Sequence, residues 1–130
     1  MASNLRCRSM RKNVLVIEDE PIIAEMISIL LEIEGFKVIS LADTTRARQK
    51  LLAKEIDLVM LDLNLSGESG ATMCAYIKSH DDLKNIPVIL VSAHTDLQKI
   101  KEECGADDFI AKPFELEVFT SKVRNAVSAN

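Results

Sequence analysis

VLVIEDEP, residues 14–21, decides the fold. Val14 to Ile17 make an unbroken apolar run, and the carboxylates Glu18, Asp19 and Glu20 follow at once. A continuous apolar run, rather than an alternating one, suits a strand covered on both faces, as in parallel sheets packed between helices. The acids then mark the strand's C-terminal end. Pro21 behind them is a residue tolerated in the first turn of a helix.

The same pattern recurs along the chain. Strands are expected at NVLVIE (13–18), KVISL (37–41), DLVMLD (57–62), PVILVS (87–92) and DDFIA (107–111). Helical periodicity fills the gaps. Residues 21–35 carry Ile23, Met26, Ile27, Leu30 and Ile33 as one stripe and close at Gly35. Residues 44–53 carry Ala47 and Leu51, and a third helix spans 70–79. A fourth starts at Thr95 as N-cap, presents Leu97, Ile100 and Cys104, and ends at Gly105. The fifth, 115–128, aligns Leu116, Phe119, Val123 and Val127. Strict βα alternation predicts an α/β fold, (βα)5, with a doubly wound parallel five-stranded sheet and right-handed crossovers. Five strands favour the order 2-1-3-4-5, which opens a ligand crevice at the C-terminal ends of strands 1 and 3.

Composition agrees with one domain. The chain has 130 residues, 48% of them hydrophobic and 28% charged, enough for a substantial core. The net charge of −4 argues against broad binding to nucleic acid or anionic membrane. Residues 1–12 hold Arg6, Arg8, Arg11 and Lys12 without an acid, so a short, flexible basic tail is expected before a domain over 13–130. Cys7, Cys74 and Cys104 form no metal-type or CxxC pair and read as reduced thiols, the latter two on packed helix faces. No signal peptide or membrane-length apolar run is present, so a cytoplasmic location is expected.

The strand ends carry the chemistry. Glu18 and Asp19 end strand 1, Asp62 ends strand 3, Ser92 ends strand 4, and Lys112 follows strand 5 ahead of Pro113. Singly, each is an ordinary loop acid, cap or turn. Together they converge on one rim. Three carboxylates there raise one another's pKa unless a cation compensates. Magnesium, which favours oxygen ligands and pairs carboxylates with a phosphate oxygen, fits that need. With Lys112 it would balance the acids and leave a carboxylate free to form an acyl phosphate.

In VLVIEDEP, LVMLDLNLSGESG, VILVSA and DDFIAKPF, over about residues 13–128, the chain resembles the receiver domain of two-component response regulators, the chemotaxis-regulator-like, flavodoxin-like fold. The resemblance implies a phosphorylation-activated signalling domain that accepts a phosphoryl group on Asp62 from a histidine kinase or phosphotransfer protein. It implies Mg2+ held by Glu18, Asp19, Asp62 and the backbone carbonyl of Asn64. Ser92 and Lys112 would contact the phosphoryl group, and Ser92 with Phe109 would form the switch. Asn64 and His94 would tune the lifetime of the phosphorylated state. The Lys112–Pro113 bond would be cis. A homodimer on phosphorylation is also implied, as is a downstream protein target. The chain's end soon after the fifth helix gives the expectation of a stand-alone receiver that contacts no nucleic acid directly or, where the sequence is a piece of a longer protein, of a receiver whose output domain lies outside it.

Three departures stand out. Glu18 is longer than the commoner aspartate. Ser66 replaces a proline usual in the family and is expected to loosen its loop. Phe109 lacks a phenolic hydroxyl. The histidines are not expected to carry phosphate, and His80 reads as a solvated helix-end residue. The competing activity is a Mg2+-dependent phosphatase of haloacid-dehalogenase-like type. There the residue two after the nucleophile is an acid, whereas Asn64 is an amide that cannot protonate a leaving group. The expectation is therefore no enzyme beyond chemistry on its own Asp62. A non-phosphorylated interaction domain ranks last.

Overall fold

The computed structural model describes residues 11–128. The expected flexible tail therefore lies, over residues 1–10 and including Cys7, outside the described residues. Five strands and five helices alternate: β1 (Asn13–Ile17), α1 (Pro21–Ile33), β2 (Lys37–Leu41), α2 (Thr44–Leu52), β3 (Leu58–Asp62), α3 (Gly70–Ser79), β4 (Val88–Ser92), α4 (Leu97–Cys104), β5 (Asp108–Ala111) and α5 (Leu116–Ser128). All pairings are parallel and the sheet order is β2-β1-β3-β4-β5, as predicted.

Successive side chains of a strand face opposite ways, so each central strand feeds two cores. Leu15, Ile17, Val59 and Leu61 pack with Ala47, Leu51, Met73, Cys74, Ile77, Leu97 and Cys104 from α2, α3 and α4. Val14, Val16, Met60, Ile89, Val91 and Ile110 pack with Ile27, Leu31, Phe119 and Val123 from α1 and α5. Both described cysteines are free and buried, in line with a packing role.

Register brings the rim together. Ile17 pairs with Leu61, so Glu18 stands level with Asp62. Asp62 pairs with Val91, which puts Ser92 one step beyond it, and Ser92 pairs with Ala111, which puts Lys112 one step further.

Some local expectations are corrected. On α1 the buried residues are Ala24, Ile27 and Leu31, while Met26 and Ile33 are exposed. The helix turns its small Ala24 to the sheet and leaves the row Ile22, Met26, Ile29 and Ile33 facing outward. Leu116 is likewise exposed on α5. The N-cap of α4 is Asp96 rather than Thr95, and its side chain makes no capping bond. The His94 ring takes over there, accepting the Asp96 N–H at Nδ1 at 3.1 Å. His80 is half-buried rather than solvated, because its ring packs 5.7 Å from that of Tyr76 and accepts the Asp82 N–H.

Candidate functional site

Glu18, Asp19 and Asp62 each offer a carboxylate oxygen, and these oxygens lie within 4.8 Å of one another. Glu18 is 3% exposed and Asp62 5%, whereas Asp19 is half-buried at the rim. Lys112 reaches into the group. Its ammonium donates to Glu18 Oε1 at 3.2 Å and lies 3.9 Å from Asp62 Oδ1. Asp19 is held from the other side by Ser66, whose N–H and hydroxyl both donate to Oδ2, at 2.9 and 2.8 Å.

The electrostatics follow from this geometry. Burial, and next the repulsion of Glu18, push the Asp62 carboxyl up to about 6; Lys112 and a backbone N–H from Asn64 pull the other way without cancelling the rise. A buried carboxylate that resists ionisation beside two further hard oxygen donors is what a small divalent cation relieves. The donor set is all oxygen, which suits Mg2+ over softer metals. The residues fit the ion.

Ser92 is fully buried at the end of β4, and its Oγ accepts the His94 N–H at 3.1 Å. His94 and Asn64 are both exposed and line one cleft of about 430 Å³ between α3 and α4, together with Cys104. Phe109 stands apart from the acids, opposite Leu90 in the sheet register. Its ring is covered by the Lys122 ammonium at 4.6 Å, and that ammonium also donates to Asp108 Oδ1 at 3.1 Å and to the Phe109 carbonyl at 2.6 Å. The Lys112–Pro113 bond is cis.

The sequence did not point to what braces the loop between β3 and α3. Gly70 donates its N–H to the Leu63 carbonyl at 3.0 Å. A Cβ on Gly70 would fall 2.7 Å from Leu63 Cα and closer still to the Asp62 carbonyl oxygen. Glu68 pairs with Arg48 of α2, whose guanidinium stacks 4.7 Å over the Tyr76 ring. A glycine directly behind a helix cap was the available signal; the Arg48–Glu68 contact, twenty residues apart, had none. Ser66 also does what the sequence did not announce. Because it is not proline it has an N–H to give, and with its hydroxyl it links the loop to Asp19.

Comparison with known proteins agrees with this geometry. The family described as "Response regulator receiver domain" has a sequence model that matches residues 14–124. The DNA-binding response regulator MtrA of Mycolicibacterium smegmatis is 33% identical over 124 residues, covering 94% of this chain and 53% of its own length. The chain thus spans about half the length of such curated relatives. Among solved structures, the signal receiver domain of a signal transduction histidine kinase from Syntrophus aciditrophicus superposes with a TM-score of 0.83 at 32% identity, covering 91% of each chain. The receiver domain of the sensor histidine kinase PA1611 from Pseudomonas aeruginosa, with a magnesium ion coordinated in its active-site cleft, has a TM-score of 0.82 at 21% identity, covering 91% of this chain and 98% of its own. At that identity it speaks for the fold alone.

Proposed function

Because this chain belongs to the response regulator receiver domain family of two-component signalling, we propose that Asp62 is its phosphoacceptor and that Glu18, Asp19, Asp62 and the Asn64 backbone carbonyl hold Mg2+ beside it. The observation that carries this reading is the raised, buried Asp62 carboxylate facing Lys112 and two further acids.

When bound, the cation supplies positive charge against the acids and the phosphoryl oxygens. The protein's own groups do the rest. A carboxylate oxygen of Asp62 attacks phosphorus in line, the P–N bond of a phosphohistidine donor breaks, and the imidazole leaves neutral with its proton on the other nitrogen. Lys112 needs only to turn from Glu18 to meet the new oxygens. Ser92, now an acceptor for His94, keeps its hydroxyl proton free to donate to a phosphoryl oxygen. That movement would draw Ser92 away from His94 and open room for Phe109, whose ring Lys122 covers in the present state. Asn64 and His94, two positions past Asp62 and Ser92 and lining one cleft, tune dephosphorylation.

A protein donor is favoured over a small molecule. The row Ile22, Met26, Ile29 and Ile33 exposes apolar surface on α1, next to the acids at its start, as a docking face requires. Domain limits of 13–130 behind a basic tail, a cytoplasmic location, homodimerisation on phosphorylation and output through another protein rather than direct contact with nucleic acid complete the proposal. Among the described residues, no helix is long and apolar enough to cross a membrane. The domain is a signalling unit whose chemistry is confined to its own Asp62.

The test is incubation with acetyl phosphate and Mg2+, followed by intact mass. One phosphoryl group per chain, absent in Asp62→Asn, supports the reading. Steady hydrolysis of unrelated phosphate esters would support the phosphatase instead, and neither modification nor hydrolysis would contradict both.

A further inference from the structure

Asp19 is the least buried of the three acids, yet it has the most definite hydrogen-bond partner. Ser66 Oγ and Ser66 N both donate to its Oδ2, at 2.8 and 2.9 Å. A carboxylate oxygen has two lone pairs, so Oδ2 is filled by these donors and Oδ1 keeps its own. Ser66 is 47 positions from Asp19, so only the fold brings them together.

The donor pair is itself anchored. Its loop is closed behind by Gly70 N–H on the Leu63 carbonyl and clamped from the side by the Glu68–Arg48 ion pair, with Arg48 resting on Tyr76. Gly67, next to Ser66, takes φ +85°, a left-handed value open to glycine at little cost. Ser66 therefore offers its two donors from a braced loop rather than a loose one.

We propose that Ser66 is a positioning residue of the metal site: by filling Oδ2 of Asp19 it reserves Oδ1 as a single-oxygen ligand and fixes its direction. The inference rests on the assignment of the acids to Mg2+ and adds a residue outside the acidic set. Groups that orient a metal ligand typically change metal affinity by about 10- to 100-fold when lost. Here the bonds are exposed, so the low end applies.

The substitutions form a graded series. Ser66→Thr keeps both donors, Ser66→Ala keeps the N–H alone, and Ser66→Pro removes both. Titration of each chain with MgCl2, followed by the amide shifts of residues 18–20, gives the dissociation constants. Thermal unfolding in chelator reports fold stability separately. Expected are a Thr variant like the parent, an Ala variant about threefold weaker and a Pro variant about tenfold weaker, with unfolding in chelator little changed. Equal or tighter Mg2+ binding in Ser66→Ala, with the Thr variant also at parental affinity, overturns the proposal, and that pair suffices should the Pro variant not fold. If the parent chain itself fails to bind Mg2+, the assignment of the acids falls, and the role of Ser66 falls with it.

Discussion

Lys112 stands 3.2 Å from Glu18 but 3.9 Å from Asp62, so its single positive charge is shared unequally between two buried carboxylates. Glu18 has a direct hydrogen bond from the ammonium; Asp62 has only its longer-range attraction. This imbalance helps explain why Asp62 stays at about 6 despite a neighbouring lysine, burial being the larger cause. It also leaves Asp62 as the acid whose charge most needs an outside cation.

A stability prediction follows from that rise. In the unfolded chain Asp62 ionises near 3.8; folded, near 6. The folded state then holds its proton longer, so stability falls as pH rises between these values and is free of the cost below 3.8. Asp62→Asn removes the cost. In chelator at pH 7 the variant should be more stable than the parent by up to about 3 kcal/mol, converging with it near pH 4. Urea unfolding at several pH values checks this, and a difference that does not depend on pH would contradict it.

Gly70 should tolerate no side chain. The Cβ of Gly70→Ala would meet backbone atoms of Asp62 and Leu63, which cannot swing aside as a side-chain tip can. The expected loss is about 3 kcal/mol, at the upper end of the range for overpacking, with the acidic site disturbed as well. Urea midpoints measure the first, and the phosphorylation rate with acetyl phosphate measures the second. A variant of parental stability would show that the loop yields more easily than its bracing suggests.

Lys122→Met should free the Phe109 ring. The ammonium that leaves makes a cation–π contact and two hydrogen bonds to β5, together worth about 1 kcal/mol at a partly exposed site. Fluorine NMR of fluorophenylalanine-labelled protein, assigned with Phe109→Leu, should show the Phe109 signal shifted or broadened before any phosphorylation. An unchanged signal would mean that Lys122 does not hold the ring.

His94→Ala should change the lifetime of the phosphorylated state severalfold, since the imidazole lines the cleft beside Asn64. The decay of phosphorylated protein after removal of the donor measures it. An identical decay would confine His94 to its cap-like bond with Asp96.

Much of this was legible in the chain. The runs Val14–Ile17, Leu58–Leu61 and Val88–Val91 are buried on both faces, and that double burial makes such strands readable without periodicity. Once strand ends are fixed, the convergence of Glu18, Asp62, Ser92 and Lys112 follows from topology. Helix facing was less readable. Apolar spacing on α1 admits two overlapping stripes, and packing against the sheet chose the one with the small Ala24. Contacts between distant segments left no trace in the order of residues. Lys122 over Phe109 and Ser66 on Asp19 exist only because the fold sets them side by side. The Ser66 case shows why a missing proline is ambiguous: it restores conformational freedom and an N–H donor at once, and here the donor has found a partner.

The central claim, that one buried aspartate accepts the phosphoryl group, is tested most directly by trapping. Protein treated with acetyl phosphate and Mg2+ is reduced with borohydride, which converts an aspartyl phosphate to homoserine, and the peptides are sequenced by mass spectrometry. Homoserine is expected at position 62 and a reduced side chain at no other acid, dependent on Mg2+. Homoserine at Asp19 or another aspartate, 5-hydroxynorvaline at Glu18 or another glutamate, or no reduced residue at all, would contradict that claim.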